Sequence, residues 1–217
     1  PVDFYPGRNR YIGYLTNLAT KPFDDHRIAL DCSNGSSWMI GPAVFNALGA
    51  KTYVIHDKPD GLNINNLSLM LLALKECKGL IIDIRNNGGG MITTAEKLAS
   101  AFTDKEIHCG FIQHKTGPGH NDFSEPEKIN LKPSKGVIWL RPVIVLTNRS
   151  VYSAANHFVM LMNELSNVLV IGDWTGGGSG MPMTYTLPNG WTVRMSACPI
   201  LDAKGNSTEF GIEPDLR

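Results

Sequence analysis

Three short apolar runs give the sequence its clearest strand signal: LIIDI (80–84), VIVLT (143–147) and VLVIG (168–172). Each is rich in β-branched residues, and each is apolar at successive positions and bounded by Gly, Asn or Pro. This is the pattern of a parallel strand that is buried on both faces. Helical periodicity surrounds the runs, with one apolar helical face over 158–165, shortly after Ser153. Strands that alternate with helices predict an α/β layered fold with a mostly parallel sheet.

Two further helices are predicted from spacing and capping. An apolar stripe at i, i+3, i+4 and i+7 begins at Leu67 and predicts a helix over 66–77. In TTAEKLASAF, Thr93 precedes Glu96 by three residues, which is the arrangement of a capping box. A second helix is therefore predicted to begin at Thr93.

The remaining regions show strand, hairpin and loop patterns. Residues 27–65 predict a β-α-β module: the strand RIALD, the helix GPAVFNALGA and the strand KTYVIH. Pro42 suits the first turn of that helix and Gly49 its C-terminal stop. Two alternating runs around Pro-Asn-Gly, within 180–198, predict a β-hairpin. The stretch 116–136 is rich in turn formers and predicts a long surface loop.

Composition narrows the functional classes. Apolar residues make up 42% of the 217 and charged residues 18%, which fits a globular chain. Twenty basic and twenty acidic residues cancel, which disfavours nucleic acid and an anionic membrane surface as partners. The sequence contains no run of eighteen apolar residues that would span a bilayer. The four cysteines lack metal-ligand spacing, so buried free thiols are expected, and neither a metal nor a cofactor is predicted.

Two strand ends carry candidate chemistry, because ligands of open α/β sheets gather where strands end and helices begin. Gly88, Gly89 and Gly90 follow the first strand, and their amides suit an oxyanion hole as well as a plain tight turn. Ser153 follows the second strand at a predicted helix start, where a serine is either a helix cap or a nucleophile. The sequence lacks the G-x-S-x-G elbow, which argues against an α/β-hydrolase.

Four stretches occur in a characteristic order: GLIIDIRNNGGG, PVIVLTNRSVYSAANHF, VIGDWTGGGSG and EFGIEPD. With them the chain resembles the C-terminal-processing and tricorn-type serine peptidases, over about 66–217 and in YIGYL (11–15). The resemblance implies that YIGYL is a strand of the peptidase core and that Ser153 is the nucleophile. It also implies an oxyanion hole formed by the amide of Ala154 and an amide of the glycine turn.

The same resemblance bears on the general base. The processing branch places a lysine in G-x-x-T-x-G-K-G, whereas this chain reads GDWTGGG from Gly172 to Gly178, with glycine at the lysine position. The tricorn-like branch uses a histidine from a segment ahead of the sheet, for which this sequence shows no counterpart, and a supporting glutamate. Glu209 occupies the place of that glutamate, with a solvated loop carboxylate as the alternative. His157, four residues after Ser153 on the helix, is a possible base, with a packing or surface role as the alternative.

The segment IALDCSNGSSWMIGPAVFNALGAKTYVIHDKPDGLNIN resembles part of a different family, phosphoglucosamine mutase. It contains neither that family's phosphorylatable serine loop nor its metal-binding acidic loop, so the resemblance implies architecture and not mutase chemistry. Three regions follow: an N-terminal peptidase strand within 1–26, a mutase-like β-α-β module at 27–65 and a serine-peptidase-like core at 66–217. We expect a composite chain in which the module has been spliced into a peptidase by engineering, with a natural insertion as the alternative.

The expected activity is hydrolysis of protein or peptide substrates through an acyl-enzyme at Ser153. The alternative is a catalytically inactive chimera or binding module on a peptidase scaffold, which the missing base favours. A sugar-phosphate enzyme would depend on 27–65 alone and is set aside. The resemblance suggests a periplasmic or extracytoplasmic bacterial location, and the sequence indicates no oligomeric state.

Overall fold

The structure is a computed structural model that describes residues 5–32, 38–55, 71–72 and 74–217. The chain divides into two compact units, Pro1–Cys77 and Lys78–Arg217. Parts of two predicted regions lie outside the described residues, namely 33–37 and 56–65 of the β-α-β module and the first residues of the helix predicted over 66–77.

The first unit contains the predicted β-α-β module. A helix α1 (Tyr5–Asn17) precedes β1 (Arg27–Asp31), α2 (Ile40–Ala47) and β2 (Lys51–Ile55). Strands β1 and β2 pair in parallel, so the prediction of two strands joined by a helix is confirmed. Gly49 ends the helix with a φ of +93°, the left-handed conformation that favours glycine at a C-terminal stop.

The strand predicted at 11–15 is wrong, because YIGYL lies inside α1. The hydroxyl of Thr16 donates to the Ile12 carbonyl at 2.9 Å, one helical turn back. Ile12 lines a cavity together with Pro42 and Val54 of the β-α-β module. The segment therefore forms its backbone hydrogen bonds within a helix and packs beside the module, and within the described residues it pairs with no strand.

The described residues of the second unit contain ten α-helices and β-strands, besides one 3₁₀ turn at Ser100–Phe102. In chain order they are β3 (Leu80–Asp83), α3 (Ile92–Ala99), β4 (Ile107–Ile112), β5 (Glu127–Leu131), β6 (Val143–Thr147), α4 (Ala154–Asn163), β7 (Val168–Gly172), β8 (Met183–Thr186), β9 (Thr192–Met195) and β10 (Ile200–Asp202).

The three apolar runs form a parallel sheet in the order β3-β6-β7, as predicted. In the central strand, Val143 and Val145 are 1% and 0% exposed, and α4 packs against β7 and α3. The neighbouring row of paired residues, Ile81, Ile144 and Leu169, is more open, with Ile81 67% exposed. The prediction that these strands are buried on both faces is therefore wrong for this row. An apolar run does not encode which face of the sheet the helices cover.

Antiparallel strands make up the rest of the unit. Strands β10, β4 and β5 form one sheet, and β8 and β9 form the predicted hairpin around Pro-Asn-Gly. The surface loop predicted over 116–136 is wrong in part, because β5 lies inside it. The apolar residues of β5 are only Ile129 and Leu131, which are too few to stand out as an alternating run among turn formers.

Helix α3 begins one residue earlier than predicted and without a capping box. Its N-cap is Met91, which makes no side-chain capping bond, and Thr93 lies within the first turn. Glu96 instead approaches His157 on α4. The tertiary contact between the two helices has replaced the local bond that the sequence predicted.

Candidate active site

Ser153 has an unusual backbone conformation at the start of α4. Its φ is 58° and its ψ is −125°, a combination that costs a non-glycine residue about 1–3 kcal/mol. Two hydrogen bonds hold it: its N–H donates to the Gly177 carbonyl at 2.8 Å, and its carbonyl accepts the His157 N–H at 3.0 Å. The turn between β6 and α4 therefore presents Ser153 in a strained conformation.

The hydroxyl of Ser153 does not cap the helix. Ser153 occupies the N-cap position but makes no side-chain capping bond, and its Oγ has no hydrogen-bond partner among the described residues. The side chain is half-buried. The helix-cap alternative is thereby removed, and a hydroxyl without a structural partner remains at the strand end.

The glycine turn after β3 packs directly against Ser153. Gly89 has a φ of +96°, and a Cβ added there would lie 2.5 Å from the Tyr152 carbonyl oxygen, 2.7 Å from the Ser153 Cβ and 2.8 Å from the Ala154 nitrogen. Only glycine fits such an approach. The turn therefore lies against the nucleophile candidate and the amide that follows it.

The amides around Ser153 differ in whether they are already paired. Gly89 N–H donates to Asn87 Oδ1 at 2.9 Å, so it is engaged within its own turn. The amides of Gly88 and Ala154 have no hydrogen-bond acceptor among the residues that the structure describes. These two N–H groups are thus unpaired within the described chain, Gly88 in an exposed turn and Ala154 at the buried start of α4.

Asparagines join the glycine turn to the turn that carries Ser153, a feature that the sequence analysis missed. Asn86 N–H donates to Asn148 Oδ1 at 3.0 Å, and Asn148 Nδ2 donates to Asn86 Oδ1 at 2.9 Å. Tyr152 N–H donates to the Asn87 carbonyl at 3.0 Å. The one signal in the sequence is that asparagines follow both strands, in RNN and TNR.

Glu209 lies next to the segment that holds Ser153. Its carbonyl accepts the Gly178 N–H at 2.9 Å, and its Oε1 accepts the Ser196 hydroxyl at 2.9 Å. A Cβ added at Gly177 would meet the Glu209 carbonyl. Gly177 therefore has Ser153 on one side and Glu209 on the other, although the described contacts include no hydrogen bond between those two residues.

His157 is buried and forms no hydrogen bond with the Ser153 hydroxyl within the described chain. It is 3% exposed, and neither ring nitrogen has a hydrogen-bond partner in the described part of the chain. Its Nε2 lies 3.6 Å from Glu96 Oε1, which favours the charged imidazolium, but burial outweighs this contact and lowers the pKa of His157 to about 4. Burial also raises the pKa of Glu96. His157 is therefore neutral near pH 7 and packs between α4 and α3.

The position of the family lysine is closed by an aromatic ring. A Cβ added at Gly178 would lie 2.1 Å from the Tyr152 ring. Gly178 also has a φ of +76°, which a lysine would rarely adopt. His114, another imidazole near this region, has its Nδ1 3.6 Å from the Cys198 thiol.

Other ligand classes find little support among the described residues. No group of three or more His, Cys, Asp or Glu in the described ranges could hold a metal ion. The described helices include none that is long and apolar enough to cross a membrane. Cys32 and Cys109 are buried as expected, whereas Cys77 and Cys198 are half-buried.

The sheet, the helix after Ser153 and the glycine turn together define a serine-peptidase-like α/β protein, and comparison with known proteins agrees. The profile of peptidase family S41 matches residues 62–217. The chain belongs to peptidase family S41. The carboxy-terminal processing protease CtpA of Bacillus subtilis (strain 168) is 29% identical over 147 residues, which cover 67% of this chain and 30% of CtpA.

A solved structure supports the same assignment. It comes from Parabacteroides merdae ATCC 43184, is named as a candidate peptidase, and is 55% identical with a TM-score of 0.67. The match covers 70% of this chain and 48% of that one. The likeness confirms the α/β fold of the peptidase region.

The second resemblance is confirmed as well. The phosphoglucosamine mutase of Lachnospira eligens is 61% identical over 64 residues, which cover 30% of this chain and 14% of the mutase. The chain thus spans less than half the length of each of these three proteins. Parts of it are similar to two different families.

Proposed function

We propose that this chain hydrolyses peptide bonds in protein or peptide substrates, with Ser153 as the nucleophile. The observation that carries the proposal is the strained positive-φ backbone of Ser153 at the start of α4, with the Gly89 turn packed against its Cβ and against the Ala154 amide. Membership of peptidase family S41 supports a serine-peptidase-like function of the same kind. Substrates would lie in the cleft between the glycine turn and the first turn of α4.

In the proposed reaction, Ser153 Oγ attacks the substrate carbonyl carbon and its proton passes to a base. The amides of Ala154 and Gly88 would donate to the resulting oxyanion, an effect typically worth about 3 kcal/mol per donor. The C–N bond then breaks and the amine leaves with a proton, giving an ester at Ser153. Water attacks that ester and releases a carboxylic acid, which restores the hydroxyl.

Gly89 and Glu209 have supporting parts in this proposal. Gly89 lets the turn approach Ser153, while its own amide stays on Asn87. Glu209, held by Ser196, places a carboxylate beside the segment that binds the Ser153 backbone. No described side chain forms a hydrogen bond with Ser153 Oγ, so the proposal names no residue as the general base. His157 is left as a packing residue because its ring lies beside Glu96.

One observation favours a second candidate, a peptidase scaffold that binds peptides without cleaving them. No described side chain forms a hydrogen bond with Ser153 Oγ, so a hydroxyl proton has no acceptor in place. A serine next to a working base reacts at neutral pH, whereas an unassisted serine does not. The two candidates therefore differ in reactivity and share a fold.

A fluorophosphonate probe separates the two candidates. In the peptidase, the probe labels the parent chain, labelling disappears in Ser153→Ala and persists in Ser150→Ala, a matched exposed serine of the same turn. The labelling rate should also rise to a plateau near neutral pH, as expected for a titrating base. Absence of labelling in a folded parent chain at high dose contradicts the peptidase and supports the scaffold.

A further inference from the structure

Asn156 lies three residues after Ser153 and is 0% exposed. Its Oδ1 accepts a hydrogen bond from the Thr175 hydroxyl at 2.5 Å. Its Nδ2 donates to Ser179 Oγ at 2.5 Å and to the Thr208 carbonyl at 3.0 Å. A primary amide has two N–H donors and one carbonyl acceptor, so both ends of this side chain are used.

The partners of Asn156 flank the segments that touch the candidate site. Thr175 and Ser179 bracket Gly177, whose carbonyl accepts the Ser153 N–H at 2.8 Å. Thr208 precedes Glu209, whose carbonyl accepts the Gly178 N–H at 2.9 Å. One buried amide on α4 is therefore joined to both the loop over 175–179 and the segment that carries Glu209.

Thr175 extends this network to a third segment. Its hydroxyl accepts the Ile212 N–H at 2.6 Å, and its own N–H donates to the Ile212 carbonyl at 3.1 Å. Each side-chain polar atom of Asn156 and Thr175 thus has a partner. A fully satisfied buried network of this kind fixes the relative positions of its members.

We infer that Asn156 is a positioning residue of the proposed serine-peptidase site, an inference that rests on the function proposed for Ser153. The amide holds the loop over 175–179 and the segment of Glu209 against the first turn of α4. Through the Gly177 carbonyl, this arrangement keeps Ser153 in its positive-φ conformation. Asn156 acts on the reaction through these neighbours and does not itself touch the substrate.

The chemistry of the position requires an amide. An aspartate would turn a carboxylate oxygen toward the Thr208 carbonyl oxygen, and a buried charge facing an acceptor is unfavourable. A leucine would leave the Thr175 hydroxyl and the Thr208 carbonyl without their partner. Only a side chain with an acceptor on one side and a donor on the other satisfies both neighbours.

A matched pair of substitutions at Thr175 tests the inference and leaves Asn156 itself in place. Thr175→Val removes the hydroxyl at nearly constant volume, and Thr175→Ser retains it. With a fluorophosphonate, we expect Thr175→Val to lower the maximal rate of Ser153 acylation by about 10- to 100-fold, because displacements near 1 Å cost that much. The probe concentration for half-maximal rate should stay unchanged, and Thr175→Ser should react within about threefold of the parent.

The outcome of this pair discriminates positioning from a general loss of stability. A merely structural role would lower the fraction of protein that reacts and leave the rate of the folded remainder unchanged. An unchanged maximal rate in Thr175→Val overturns the inference. Equal losses in Thr175→Ser and Thr175→Val also overturn it, because the hydroxyl would then not be the group that matters.

Amide hydrogen exchange tests the inference independently of reactivity. In Thr175→Val, the amides of Ser153 and Gly178 should exchange about tenfold faster or more, while amides of the β6–β7 ladder keep their protection. If exchange changes in this way but the parent chain never labels, the proposed peptidase activity is contradicted and the positioning role is retained. Unchanged exchange at both amides overturns the positioning role whatever the labelling shows.

Discussion

Ser153 and Gly89 share a contact that neither residue could make in an ordinary conformation. Ser153 has a φ of 58° although it carries a Cβ, and Gly89 has a φ of +96° because it carries none. The missing Cβ of Gly89 leaves room for the Ser153 Cβ, the Tyr152 carbonyl and the Ala154 nitrogen. The strain at Ser153 and the close approach of the turn therefore depend on each other.

A methyl group at Gly89 should abolish labelling of Ser153. In Gly89→Ala, the added Cβ would lie within 2.8 Å of three atoms of residues 152–154, so the turn must move away. A displacement of about 1 Å between the amides and the reacting carbon is enough to lower the acylation rate about 100-fold. Labelling kinetics with a fluorophosphonate measure this loss.

The matched control for that substitution is Gly190→Ala at the tip of the β8–β9 hairpin. Gly190 has a φ of +84°, but a Cβ added there meets no atom within 4 Å in the described chain. The variant should lose about 1–2 kcal/mol of stability from backbone strain alone and keep the parent labelling rate. Equal rates in Gly89→Ala and the parent would contradict the contact described above.

Buried His157 predicts a stability that depends on pH. Its folded pKa is about 4, below the ordinary value of about 6.5, because burial disfavours the charged ring. Between those two pH values the unfolded chain binds a proton that the folded chain does not. The free energy of unfolding should therefore fall by about 3 kcal/mol as pH drops from about 7 to about 4, at about 1.4 kcal/mol per unit.

Urea unfolding at several pH values measures this effect, with two variants as controls. His157→Met removes the titrating ring and loses no hydrogen bond of the ring in the described structure, so the dependence should flatten. Glu96→Gln should retain it, because burial and not the carboxylate lowers the pKa of His157. A slope that survives in His157→Met assigns the effect to other groups.

At the scale of elements, the ends of β3 and β6 are tied by the reciprocal contact between Asn86 and Asn148. Asn148 Oδ1 also accepts the Ser150 N–H at 3.1 Å, so one side chain orders its own turn and fixes the neighbouring one. Parallel strands place these two turns at the same edge of the sheet. The side chains then set the spacing that the sheet alone leaves open.

Removing this contact should slow the reaction at Ser153. Asn148→Ala deletes three hydrogen bonds between and within the two turns, and we expect the fluorophosphonate labelling rate to drop about tenfold as they separate. Asn130→Ala is the control, because Asn130 is an asparagine on β5 that bonds Glu106 and His108. A control variant that slows as much as Asn148→Ala would argue against the proposed linkage.

Hydrophobic patterning was sufficient for the elements whose burial is strong and continuous. The three parallel strands, the helix after Ser153, the hairpin and the β-α-β module were all predicted from it. It was insufficient where tertiary contacts decide: α1 replaced the strand expected at 11–15, and β5 formed from a stretch with two apolar residues. The capping box at Thr93 failed because Glu96 contacts another helix.

The candidate site divides in the same way. Its location followed from short motifs at strand ends, since the glycine turn follows β3 and Ser153 follows β6 within a few residues of sequence. The contacts that arrange it join residues far apart in sequence, such as Asn156 with Thr208 or Gly177 with Glu209. A single sequence carries no periodic signal for pairs of this kind, so geometry had to supply them.

At the scale of the whole molecule, every residue of the candidate site lies in the unit Lys78–Arg217. A fragment of residues 62–217, the range that the profile of peptidase family S41 matches, should therefore fold and label at Ser153 as the full chain does. Circular dichroism and probe kinetics check the fold and the reaction separately, and Ser153→Ala in the fragment is the control. A folded fragment that does not label would show that residues before 62 contribute to the site.

The pairing of β3 with β6 has a consequence for when Ser153 reaches its folded conformation. Leu80 is in register with Val143, and Gly172 on the next strand donates its N–H to the carbonyl of Leu216. Such pairings join residues that are far apart in sequence and close long loops, so these native contacts form slowly and late in folding. During synthesis, residues 208–216 leave the ribosome well after Ser153 does. The Gly177–Gly178 backbone that holds Ser153 in its positive-φ conformation is itself paired with Glu209, so we expect Ser153 to reach that conformation only after the segment that carries Glu209 has been made.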